Sequence, residues 1–256
     1  MHVACQRTGF SLLEMIVVMG IIAILMTLLA PTVNSARKNA RQADCRSNLR
    51  QFGIALTAYR ADHAGKNPAW MSNLYPKYID ARDVYVCKSD PNRGEGAIVP
   101  KRLVSAHHVS SYPETIDNSQ NRVSSGETSE PRHAEQNRDV AANSYFYEFS
   151  AADCSWKPGM TWNEAKEQQL QIGDTANGGG DPGNPVPYST SRMPIIRCWH
   201  HWDESVITGY GDENAKIGNH SSRLPMTINV AYAGNVFVAP PWWEGRLEPG
   251  VRRLAQ

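Results

Sequence analysis

Glu14 is a carboxylate set inside a run of 21 residues, from Phe10 to Ala30, that carries no other charge. A carboxylate there is costly unless it snorkels to the interface or meets a cation at the same depth. Cutting the chain after Gly9 would supply that cation, because Phe10 would then carry a new α-amino group close to Glu14 of its own or a neighbouring chain. An amine–carboxylate pair at the low-dielectric centre of a helical bundle satisfies both charges and sets the axial register between subunits. On that supposition Gly9 and Phe10 flank the cut, and Glu14 is the candidate assembly residue.

Other reactive side chains lie far along the chain. Cys198, His200 and His201 are neighbours, with Asp203 and His220 following. They lack the two tight ligand pairs usual for zinc, so no metal ligand is assigned. Five cysteines (Cys5, Cys45, Cys87, Cys154 and Cys198) show no C-x-x-C. Loss of the first nine residues leaves four, a number compatible with disulfides in an oxidising compartment, with the pairing open. There is no G-x-S-x-G, H-E-x-x-H, P-loop or G-x-G-x-x-G pattern, so no catalytic residue is named and no enzyme is expected.

The elements that must position Glu14 are helical. A 21-residue apolar helix spans roughly 30 Å, the thickness of a bilayer's hydrocarbon core. Pro31 is the point where the helix is expected to bend. Beyond it Val33, Ala36, Ala40 and Ala43, then Cys45, Leu49, Phe52, Leu56 and Tyr59, recur at gaps of 3 and 4, with polar residues between them. One helix over residues 10–61 is expected, its outer stripe packed on a globular domain. The organisation is then a leader (1–9), a transmembrane and assembly helix (10–30), an amphipathic extension (31–61) and a loop-rich domain (62–256).

Within that domain residues 105–143 read as a surface insertion. Residues 143–149 read as a strand with Tyr145, Tyr147 and Phe149 on one face. Residues 192–199 and 206–210 are further strand candidates, and 174–187 is loop by composition. Residues 227–238 read as a hairpin turning at Gly234-Asn235. Trp242-Trp243 follows it, placed to cap the core or sheet edge or to meet a partner. The expected class is α+β, a long N-terminal helix on a small antiparallel sheet.

Gly9-Phe10-Ser11-Leu12-Leu13-Glu14 resembles the type IV prepilin cleavage and methylation motif. In that family a prepilin peptidase cuts after the glycine and methylates the new N-terminus. Pro31 stands where members often carry a helix-kinking proline, and Arg7 supplies the leader's positive charge. Residues 45–51, with Tyr59, Asp62, Gly65 and Pro68, are similar to the large-domain pseudopilin-like proteins of planctomycete and verrucomicrobial bacteria. So are residues 84–91, where Lys88 replaces the proline of a Cys-Pro-Ser-Asp segment. Family members with a histidine ahead of a hairpin Asp-Gly are matched only in part, because Ala233 stands where the Asp would be.

The resemblance implies a filament subunit of a type II secretion pseudopilus or a type IV pilus. Its partners would be prepilin peptidase, other pilin or pseudopilin subunits and inner-membrane lipid. The protein would sit in the inner membrane by a single pass, with an extracytoplasmic C-terminal domain. Some relatives hold calcium in a C-terminal loop. Oxygen-rich stretches exist at residues 174–181 and 203–214, but neither has EF-hand spacing, and no ligand is named. No other cofactor is expected.

Composition is consistent with this. Lys and Arg number 26 against 25 Asp and Glu, a net charge of +1 that gives no reason to expect nucleic acid. The basic strip Arg37, Lys38, Arg41, Arg46 and Arg50 suits lipid headgroups or neighbouring subunits. The competing reading is a membrane-anchored carbohydrate-binding or hydrolytic protein, whose seven tryptophans would offer stacking surfaces.

Overall fold

The computed structural model describes residues 12–95, 117, 135–154, 159–173, 187–201 and 227–239. It divides into two units, Met1–Gln42 and Ala43–Gln256. The first is described as helix alone, the opening part of α1 (Leu12–Asp62). Its side chains over residues 12–27 are all exposed, among them Leu12 at 78% and Met19 at 68%. A helix that is apolar all round and uncovered has no reason to be stable in water alone. No single helix among the described residues is long and apolar enough to cross a membrane. By length and composition a bent pair, Leu12–Thr27 with Thr32–Asp62, passes that test, and Pro31 falls in the interval between them.

The second unit contains the rest of α1. Cys45, Leu49, Phe52 and Leu56 are buried as their spacing requires, and Tyr59 is partly buried against the same cluster. The stripe begins to pack only at Cys45: Val33, Ala36, Ala40 and Ala43 are exposed, contrary to the expectation that the whole outer stripe would be covered. Small side chains in this stretch offer little area to bury, so packing gains little there. The helix ends as Gly65 N donates to the Arg60 carbonyl at 2.8 Å.

Among the described residues four strands form an antiparallel sheet in the order β1 (Phe146–Tyr147), β2 (Pro194–Cys198), β3 (Thr227–Ala231) and β4 (Val236–Ala239). Alternation along the strands gives the sheet two faces. Tyr145, Tyr147, Phe149, Ile196, Ile228 and Val230 join the α1 cluster on one of them. There Phe52 meets Tyr85 and Tyr145 edge-on at 5.0 and 5.5 Å, geometry favoured by the ring quadrupoles. The other face carries the polar or charged Glu148, Arg197, Thr227 and Asn229, all buried.

The structure departs from the sequence reading in three further places. The hairpin connection is four residues, Tyr232 to Asn235: β3 pairs with β4 as far as Val230 opposite Val236, and Ala231 N donates to the Asn235 carbonyl at 2.8 Å to close the loop. Residues 137–140 are not all surface: Val140 is buried in the core, and Asn137 Nδ2 donates to the Tyr75 carbonyl at 2.8 Å. A second helix, α2 (Trp162–Ile172), had no place in the reading. Its sequence signal is a capping box: Thr161 N donates to Glu164 Oε2 at 2.7 Å, and Glu164 N returns to Thr161 Oγ1 at 3.3 Å. The strand expected at 206–210, residues 174–186 of the expected loop and Trp242-Trp243 lie outside the described residues.

Candidate functional site

Two places among the described residues hold candidate functional side chains. The first is the N-terminal segment. Gly9 and Phe10 lie outside the described residues. Glu14 stands exposed in the first turn of α1, where a carboxylate favours the positive end of the helix dipole. From it runs the exposed apolar surface described above, which includes Ile16, Val17, Leu25 and Met26.

The second place is made by distant parts of the chain. Cys45 comes from the buried face of α1, Cys87 from the turn after a 3₁₀ helix (Arg82–Tyr85), Cys198 from the end of β2 and His201 from three residues further on. One donor atom from each of the four lies within 4.8 Å of all the others. Cys87 Sγ is 3.2 Å from His201 Nε2. The three thiols are buried, and His201 is half-buried at the edge.

Polar contacts hold the Cys87 turn. Asp90 N donates to the Cys87 carbonyl at 2.9 Å. The buried Asp90 carboxylate accepts from Asn92 N at 2.9 Å, Gly94 N at 2.7 Å and Ser144 Oγ at 2.6 Å. Ser144 N in turn donates to the Tyr85 carbonyl at 2.9 Å, binding the turn to the chain that enters β1. On the surface Lys88 Nζ lies 2.8 Å from Asp44 Oδ2, so the neighbours of Cys87 and Cys45 also meet. The Tyr145 hydroxyl reaches Cys45 and accepts from Asn48 Nδ2 at 3.3 Å. Removing the carboxylate strands three donors, two of them backbone. We expect Asp90→Ala to lower stability by about 2–4 kcal/mol, read as a lower urea midpoint at unchanged slope.

The thiols do not ionise alike. Hydrogen bonds from Cys198 and Cys45, helped by His201, hold the Cys87 thiol far below its ordinary value despite burial. Burial and the adjoining sulfurs push Cys198 up. At Cys45 the Cys198 contact favours ionisation, but Cys87 and burial outweigh it and push that thiol up as well.

Cys45, Cys87, Cys154 and Cys198 are free thiols, so the disulfide reading does not describe this structure. Cys154 lies in a separate cluster with Trp70 and Trp162. Of the grouping read near Cys198, His201 joins the thiols while His200 turns to Asp90, with Nε2 3.6 Å from Oδ2. Alternation would have chosen His200, but the strand ends at Cys198 and a turn follows. Asp203, His220 and both oxygen-rich loops lie outside the described residues. Trp70, Trp162 and Trp199 are fully buried and offer no stacking surface for a sugar. Trp156, Trp202, Trp242 and Trp243 lie outside the described residues.

Comparison with known proteins follows the same division. Residues 5–30 match the prokaryotic N-terminal methylation motif. Residues 34–74 match a family described as a protein of unknown function (DUF1559). The competence protein ComGC of Bacillus subtilis is 31% identical over 103 residues, which is 40% of this chain and 99% of that protein. The ComG operon protein 3 homolog of Bacillus licheniformis is 37% identical over 63 residues, 25% of this chain. The chain spans 65% of the length of that relative. No solved structure matches. A long N-terminal helix on a small antiparallel sheet, opened by a methylation motif, defines a pilin-like protein. The chain belongs to the type IV prepilin and pseudopilin-like family.

Proposed function

We propose that this chain is a structural subunit of a type II secretion pseudopilus or type IV pilus-like filament, processed after Gly9 and assembled through its N-terminal helix. The observation that carries the reading is the exposed apolar surface of α1 from Leu12 onward, which lies within the methylation-motif match at residues 5–30 and surrounds Glu14. Before assembly that surface rests in the inner membrane as a single-pass anchor, with the second unit outside the cytoplasm. During assembly it exchanges lipid for the helices of neighbouring subunits. Glu14 then meets the methylated amine of Phe10 on an adjacent subunit, and Pro31 lets the helix bend as it packs. One relative is named a competence protein, which supports a pilus-like filament as readily as a secretion one.

Mass spectrometry of the purified protein tests the processing step. The expected N-terminus is methylated Phe10, and an intact Met1 or a cut after Ala30 would sink the proposal. For assembly, Glu14→Ala is expected to leave membrane insertion intact and to abolish filament formation. Wild-type filament yield from that variant would remove the pairing mechanism.

A further inference from the structure

We propose that Cys45, Cys87, Cys198 and His201 form a structural zinc site that ties α1, the Cys87 turn and the end of β2 into one unit. Structural zinc takes four ligands in a closed tetrahedron, and Cys₃His is among its standard sets. Bond lengths of about 2.3 Å to sulfur and 2.0 Å to nitrogen place ligand atoms roughly 3.5–3.8 Å apart. The four donor atoms here already lie within 4.8 Å of one another, and the Cys87–His201 pair at 3.2 Å. Closing a metal shell therefore requires shifts well under the length of a side chain.

Burial favours the metal over the alternatives. Three thiols around a common point cannot all ionise without a cation, and a disulfide would use two of them and leave the third beside an imidazole in the core. Zinc displaces the thiol protons to solvent, and Zn²⁺ with three thiolates and a neutral imidazole carries one net negative charge. The surroundings hold the ligands in place: the Tyr145 hydroxyl reaches Cys45, and Asp90 fixes the turn bearing Cys87 by donating its N–H to the Cys87 carbonyl and accepting from Gly94 N. Half-buried His201 leaves an edge through which the ion enters. Soft thiolates with one imidazole in tetrahedral array select zinc over calcium or magnesium.

The test uses the full chain purified in detergent from zinc-replete cells. We expect one zinc per chain, with X-ray absorption showing three sulfur and one nitrogen scatterers at about 2.3 and 2.0 Å. Cobalt(II) exchanged into the protein should show the intense visible bands of a tetrahedral thiolate site. Because Cys198→Ser is liable to unfold the core, His201→Ala at the half-buried edge is the decisive variant. It should keep the wild-type circular dichroism and lose zinc affinity by at least about 100-fold, more than loss of an outer-shell partner. Cys154→Ser should retain the metal. A freshly isolated chain with a disulfide among Cys45, Cys87 and Cys198 would overturn the proposal. So would a reduced chain that takes up neither zinc nor cobalt, or a His201→Ala variant that binds zinc like wild type.

Discussion

Glu148→Ala is expected to destabilise the second unit by about 3–5 kcal/mol, the range for removing one partner of a buried ion pair. Glu148 is buried on the charged face of the sheet, with Oε1 2.9 Å from Arg197 Nη1 and Oε2 3.2 Å from Lys166 Nζ of α2. The carboxylate thus joins β2 to α2, and its loss leaves two cations in the interior without it. Arg197 is steadied by Asn229 Oδ1 at 3.4 Å and by the Trp199 ring 4.5 Å away, so the sheet should stay paired while α2 loosens. Urea unfolding of the full chain in detergent, read against amide exchange in α2, would reveal both effects.

The same group sets an acid limit. Burial works against ionisation of Glu148, but Lys166 and Arg197 outweigh it and hold its carboxyl below the ordinary value. A depressed carboxylate contributes stability that is complete above the unfolded pKa of about 4.3 and is lost as pH falls through the folded value. Wild type should therefore lose stability as the pH drops below about 4, and Glu148→Gln should flatten that part of the profile. An unchanged profile would place the acid sensitivity in other carboxylates.

Gly53→Ala is the second large effect, and its sign opposes helix propensity. In a helix interior alanine is normally favoured over glycine by roughly 0.5–1 kcal/mol. Here the β3–β4 connection crosses the helix at Gly53, and a Cβ would fall on the Gly234 carbonyl oxygen, which is backbone and cannot rotate aside. Gly234 itself has φ +92°, so the turn has little freedom to adjust. The neighbouring contacts are also fixed: Arg60 Nη1 donates to the Tyr232 carbonyl at 2.6 Å, with the guanidinium 3.9 Å from the Tyr232 ring. We expect a net loss of about 2 kcal/mol, seen as a lower urea midpoint. Gly20→Ala, with nothing within 4 Å of the added carbon, should leave that midpoint unchanged.

Periodicity and alternation made much of the fold legible. The 3–4 spacing from Cys45 to Tyr59 identified the buried stripe of α1, and alternation selected Tyr145, Tyr147, Phe149, Ile228 and Val230 for the core face. Each of these signals is local, because a helix or strand exposes its own period to the solvent or the core. The capping box at Thr161 and Glu164 was legible in the same way, although polar residues in α2 weaken the apolar pattern that would have drawn attention to it.

At the candidate sites the division is sharper. The proposed assembly chemistry rests on Glu14 within its apolar run, shortly after the Gly9-Phe10 junction, and is read from the sequence without any tertiary contact. The thiol–imidazole cluster shows the reverse. Cys45, Cys87 and Cys198 carry no spacing that joins them, and strand alternation from Cys198 would point to His200 where a turn delivers His201. Periodicity reports which face of an element is buried. Which buried faces meet is decided by chain closure over long separations, and only the folded structure contains it.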